Sequence, residues 1–141
     1  MIFFQRLLLF STFLTLCVVV FGAYVRLTDA GLGCPDWPGC FGTLTVPESE
    51  IAIKEAQTSY PGSIVEVGKA WIEMIHRYLA GTLGLLVLLI TILAYKIRDE
   101  IKVKFILPLS ILVLITFQAA LGMWTVTELL KPIIVTAHLI G

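Results

Sequence analysis

Three long apolar runs constrain this chain more than any other feature. Residues 7–25 and 105–127 contain 19 and 23 residues without a charge. Residues 71–95 contain 25, with Glu73, His76 and Arg77 crowded into the first two turns and no charge from Tyr78 onward. A bilayer core of about 30 Å takes roughly 20 apolar residues in a helix, so each run is long enough to span it. The expected fold class is all-α, a polytopic transmembrane helical bundle. Only 14% of the 141 residues are charged, against roughly 25% in soluble domains, and this excludes a soluble enzyme. Ten basic and ten acidic residues balance to zero, and no basic run tracks a phosphate backbone, so nucleic acid is excluded as a partner.

The last segment, 133–141, is apolar but has only nine residues, about 13 Å of helix against the 30 Å required. It is expected to be the start of an incomplete fourth span, and the chain a fragment of a longer protein. Lys96, Arg98, Lys102 and Lys104 lie between spans two and three, and Arg6 precedes span one, whereas the 26–70 loop holds three basic and six acidic residues. The positive-inside rule then places the N-terminus and the 96–104 segment in the cytoplasm and the 26–70 loop outside, in a periplasm or its equivalent. A cleaved signal peptide fits span one poorly, because its 19 apolar residues exceed the usual 7 to 15 or so.

On that outer, oxidising side lie Cys34 and Cys40, six residues apart among two prolines and two glycines. A disulfide is the natural reading, as a plain staple or as a redox pair that exchanges with a partner. Cys17, in mid-span, is a packing residue. Residues 47–60 read as a short helix with Pro47 in its first turn, stopped by Pro61-Gly62 and lying near the membrane surface.

The only two histidines both fall inside spans. His76 lies five residues past Trp71 and His138 five past Ile133, each about 8 Å inside the same face at 1.5 Å per residue. Two neighbouring helices can thus aim imidazoles at one point. Ionisable residues inside a membrane are usually functional, although each histidine can equally bond a neighbouring helix. A pair of axial imidazoles with apolar surroundings suits haem iron, whereas zinc wants further ligands. Glu73 precedes His76 by three residues and shares its helix face. It suits a proton donor or acceptor, or a partner that orients the His76 ring. Arg77 can pair with Glu73, reach outward or meet a haem propionate. Trp37, Trp71 and Trp124 read as interfacial belt residues, Met123 as packing more than ligand, and Ala80, Gly81 and Gly84 as a close-approach face that also makes room for a flat ligand.

The segments Arg26-Leu27-Thr28-x-x-Gly31-Leu32-x-Cys34-Pro35-Asp36-Trp37-Pro38, Trp71-Ile72-Glu73-Met74-Ile75-His76-Arg77, Leu121-Gly122-Met123-Trp124-Thr125-Val126-Thr127 and Val135-Thr136-Ala137-His138-Leu139 together resemble the amino-terminal half of the haem A synthase family. The resemblance runs over nearly the whole chain in the expected order. It implies an oxidoreductase that converts the C8 methyl group of haem O to a formyl group for cytochrome c oxidase. It also implies two tandem four-helix bundles, of which residues 1–141 form the first, with spans 7–25, 71–95, 105–127 and an incomplete 133–141. By motif match, His76 and His138 are the axial pair facing the substrate haem and Glu73 the catalytic acid, while Cys34 and Cys40 match a disulfide found in part of the family. Haem b is expected mainly in the second half, beyond this chain, which alone is expected to be inactive. The implied partners are haem O, haem O synthase, an electron donor or acceptor in the membrane, the lipid of the inner (plasma) membrane and a homo-oligomeric copy. The rival readings are a b-type cytochrome that transfers electrons without needing Glu73, and a periplasm-facing thiol oxidase, which would want a second reactive cysteine pair.

Overall fold

A computed structural model describes residues 2–101 and 104–141. The order is α1 (Ile2–Leu27), α2 (Glu50–Ser59), α3 (Val67–Lys96), α4 (Arg98–Ile101), α5 (Ile106–Thr127) and α6 (Pro132–Ile140). Among the described residues the only extended pairing is an isolated bridge between Cys40 and Thr43. Helices α1, α3 and α5, of 26, 30 and 22 residues, are long and apolar enough to cross a membrane. The protein is a polytopic helical membrane protein.

Hydroxyls inside the spans are satisfied within their own helices, as an apolar surrounding demands. Ser11 donates to Leu7 O at 2.9 Å, Thr15 to Ser11 O at 2.8 Å and Thr116 to Leu112 O at 2.8 Å. Thr91 donates to Val87 O at 2.8 Å and also reaches Pro108 O at 3.3 Å, which stitches α3 to α5.

Helix α3 is the central post. It packs against α1 on one side and α5 on the other, and α6 packs against α5. The α1–α3 seam is filled by Leu14, Leu83 and Val87, with Val18, Leu79, Leu86, Leu112 and Ile115 around them. Phe10, Phe13, Val113 and Phe117 stay exposed on α1 and α5, as expected of spans whose outer faces meet lipid. Between the end of α1 and α6 the bundle is open, with a cleft of about 280 Å³ bordered by Arg26, Leu130, Pro132, Val135, Thr136 and Leu139.

The 26–70 loop and the turn after α5 share one end of the bundle, where Leu130 packs beside Gly31. At the opposite end the α3–α5 reversal is closed by an edge contact between Tyr95 and Phe105, 5.2 Å between ring centroids. Of the basic residues assigned to that end, Lys102 lies outside the described residues.

Two local expectations are corrected. Helix α2 begins at Glu50, not at Pro47, because the Ser49 side chain accepts the Ala52 N–H at 3.2 Å and so caps the helix. The Gly81 and Gly84 face does not meet a neighbouring helix: a Cβ there would find nothing within 4 Å. The α3 contacts run instead through Leu83, Val87, Ile90 and Ala94, the buried stripe on that helix.

Replacing Leu83, which is 4% exposed, by alanine should lower stability by about 2 kcal/mol. That is the low end of the range for buried leucines, because lipid replaces part of the lost contact. Reversible unfolding of the complete protein in mixed micelles measures it, with Leu85→Ala on the exposed face as the unaffected comparison.

Candidate functional site

The loop end of the bundle is organised around Arg77. Its Nη2 lies 2.5 Å from Glu73 Oε1, and its Nη1 donates to Asp36 O at 2.8 Å and to the carbonyls of Pro38 and Gly39. These three carbonyls belong to the ring closed by the Cys34–Cys40 disulfide, whose sulfurs are 2.00 Å apart. Both cysteines are fully buried. Asp36 turns its carboxylate the other way and folds the rest of the ring: Phe41 N–H donates to Oδ1 at 2.6 Å and Gly42 N–H to Oδ2 at 2.8 Å. The loop lies directly on α3, since a Cβ on Gly33 would come within 2.7 Å of the Lys69 carbonyl, a backbone approach only glycine permits. Tyr78 Oη donates to Leu44 O at 2.5 Å and Trp71 Nε1 to Glu48 Oε1 at 2.7 Å, tying the flank of the loop to the same helix.

Glu73 is 4% exposed, and both of its oxygens are engaged. Oε1 takes Arg77, and Oε2 accepts the Cys34 N–H at 2.9 Å. It shares a helix face with His76, as its spacing requires, but makes no hydrogen bond to that ring. Its immediate work is to hold the start of the disulfide ring against α3.

The two imidazoles sit just below this layer. His76 leans from α3 onto α1, where a Cβ on Gly22 would lie 2.9 Å from its Cε1. His138 leans from α6 onto α5, where a Cβ on Gly122 would lie 3.2 Å from its Cε1. The rings lie within electrostatic reach of each other. In both, Nδ1 is buried without a hydrogen-bond partner. Gln118 Nε2 donates to His138 O at 2.6 Å, which fixes the backbone of α6 to α5 and leaves the ring itself unbonded.

Nδ1 is thus shut in on both rings, and Nε2, which makes no hydrogen bond to the protein and is not sealed off, is the nitrogen left open to a ligand. Among the described residues no cluster of three or more His, Cys, Asp or Glu could hold a metal ion, so the donors do not suit tetrahedral zinc. Two histidines on different helices, with no carboxylate bonded to either ring, fit the donor set of haem iron. The structure thus sets His76 and His138 on two helices of one bundle and ties Glu73 and the disulfide ring to the α3 turn that carries His76. Sequence reasoning left Arg77 unranked and missed Asp36, Gln118, Gly22 and Gly122. Arg77 carried a signal, a charge two turns inside a span. The glycines carried none, because their role depends on which helices become neighbours.

Removing Arg77 leaves the Glu73 carboxylate buried and alone. Arg77→Gln should therefore destabilise the complete protein by about 3–5 kcal/mol, and adding Glu73→Gln should recover a large part of that loss. The thermal midpoints of the two single variants and the double variant in detergent check this; additive losses would show that the pair is not coupled.

The chain is 57% identical over 127 residues to the heme A synthase of Shewanella oneidensis, a match covering 90% of this chain and 38% of that protein. It is 33% identical over 111 residues to the heme A synthase of Oceanobacillus iheyensis, covering 79% and 31%. It is 31% identical over 135 residues to that of Agrobacterium fabrum, covering 87% and 36%. The chain spans less than two-fifths of the length of these relatives. No solved structure matches it significantly. The profile of the cytochrome oxidase assembly protein family COX15-CtaA matches residues 5–141, and the chain belongs to that family.

Proposed function

We propose that this chain supplies the substrate-haem half of a haem A synthase, an oxidoreductase of the inner membrane that converts the C8 methyl group of haem O to a formyl group. The observation that carries the reading is the pair of partnerless imidazoles, His76 on α3 and His138 on α6. Relatives that bear the name heme A synthase support it. His76 of α3 and His138 of α6 would hold the iron of haem O, and the apolar bundle would take the macrocycle. A resident haem b, held mainly by the rest of the protein, supplies one-electron chemistry when bound. Haem O synthase supplies the substrate, and a donor or acceptor in the membrane exchanges the electrons. The 26–70 loop faces the periplasm and the N-terminus the cytoplasm, as the distribution of basic residues requires.

The chain's own residues set the conditions of the reaction. Arg77, bound to three loop carbonyls and to Glu73, draws the disulfide ring over the histidine layer and excludes water from that side. Glu73 is the acid nearest His76. Both its oxygens are occupied, so proton traffic through it requires either Arg77 or the Cys34 amide to let go. The same occupancy favours, as a second reading, a cytochrome that passes electrons and uses Glu73 only as a brace. A thiol oxidase is disfavoured: the Cys34–Cys40 pair is fully buried, and the remaining cysteine, Cys17, is a single free thiol.

Haem extracted from membranes that express the complete gene beside a source of haem O distinguishes these readings. Haem A should form with the native protein and fall at least about tenfold in His76→Ala and His138→Ala, since ligand loss should exceed the effect of disturbing an outer-sphere partner. Persistence of haem O beside a bound b-type haem in the native protein would establish the electron-transfer reading instead.

A further inference from the structure

Ligand histidines usually donate their second ring N–H to a carbonyl or carboxylate, and that bond fixes the plane of the ring. Here the bond is missing twice. Nδ1 of His76 and Nδ1 of His138 are both buried and both without a partner, and the nearest acidic group, Glu73, is committed to Arg77 and Cys34. Something other than hydrogen bonding must therefore hold the rings.

The same element lies against both. At Gly22 the atoms nearest an added Cβ are His76 Cε1, Nε2 and Nδ1, at 2.9, 3.4 and 3.6 Å. At Gly122 they are His138 Cε1, Nε2 and Nδ1, at 3.2, 3.5 and 3.9 Å. The ring atoms come in the same order in both places, so each imidazole offers the same corner to its glycine. The positions also correspond in the fold. Gly22 lies five residues before the end of α1 and Gly122 five before the end of α5. His76 and His138 each lie on the helix that returns into the bundle after the connection. By contrast, a Cβ on Gly81 or Gly84 of α3 would meet nothing within 4 Å. Among the glycines that lie within helices, the close approach is confined to the two that face the histidines, since Gly68 also has nothing within 4 Å.

We infer that Gly22 and Gly122 are positioning residues for the two haem-facing imidazoles: each is a shelf without a side chain that sets the plane of the ring by packing, in place of the absent Nδ1–H bond. The inference rests on the haem reading above and adds two residues to it. Each shelf works because the glycine lets the ring settle against the backbone of the neighbouring helix. A methyl group there must displace the ring, by more at Gly22 than at Gly122, in line with the shorter distance.

The test uses the complete protein loaded with haem O, which separates from the resident haem b on extraction, read by the haem O retained per protein and by the low-spin ferric electron paramagnetic resonance signal and Soret absorbance that haem O adds. Gly22→Ala should shift the low-spin signal and weaken haem retention by roughly 10- to 100-fold, the range for disturbing a partner that orients a ligand. Gly122→Ala should do the same to a smaller extent, and Gly81→Ala should do neither. The double variants separate the shelf from ordinary helix packing. His76→Gly opens the ligand position, and added imidazole should refill it. Because no tethered ring remains to be displaced, Gly22→Ala/His76→Gly with imidazole should match His76→Gly with imidazole. Should Gly22→Ala fail to fold, recovery of folding in Gly22→Ala/His76→Gly supports the proposal, and continued failure assigns Gly22 to helix packing and overturns it. An unchanged spectrum in Gly22→Ala, with haem lost in His76→Gly, overturns the shelf alone. Unchanged haem O in His76→Gly without imidazole overturns the haem reading itself.

Discussion

A guanidinium two turns inside a membrane-spanning helix has to be given acceptors, and most of this end of the molecule is built to do so. Arg77 cannot lose its charge and carries donors on a rigid planar fork. Lipid offers it nothing. The chain answers with one carboxylate from its own helix, Glu73, and three carbonyls from a single small ring, those of Asp36, Pro38 and Gly39. An arginine with a carboxylate alone would leave several N–H groups unbonded. The loop carbonyls complete the set, and in doing so they fix the 34–40 ring on top of α3. The position of the loop is thus a consequence of solvating one buried cation.

This explains why the disulfide and the histidines are found together although they belong to different parts of the sequence. His76 is the residue next to Arg77, so whatever satisfies Arg77 is drawn close to His76. Glu73 completes the link by taking the Cys34 N–H, which joins the first cysteine of the ring to the helix turn that carries the histidine. A change at the ring, whether reduction or substitution, is felt at α3 through these two side chains.

The parts of the molecule that were legible in the sequence are those fixed by local chemistry. Apolar length gave α1, α3 and α5, because the number of uncharged residues sets how far a helix can reach. The parts that were not legible depend on contacts across the bundle. Arg77 had three plausible partners until the loop was in place. The Gly81 and Gly84 face promised a close helix approach that the structure puts elsewhere, because small residues permit contact and only the rotation of the helix decides which of them receives it. Helix α2 starts later than Pro47 suggests, because a serine that accepts an amide defines a helix start more sharply than a proline that merely tolerates one.

The bundle reads as two helical hairpins that repeat one device. In the first, α1 descends past Gly22 and α3 returns with His76; in the second, α5 descends past Gly122 and α6 returns with His138. The connections could hardly differ more: the first holds α2 and the disulfide ring, the second only a short turn in which Leu129 and Leu130 both adopt positive φ, 50° and 56°. Yet each presents an imidazole over a glycine near the same end. A polar group deep in a span usually finds a bond across to a neighbouring helix. Here the ring nitrogens forgo it in both hairpins, and a symmetric omission is hard to credit to chance packing. Rings held by shape keep Nε2 open toward the space between the hairpins while Nδ1 stays unbonded, so the plane of each ring answers to the glycine it packs against.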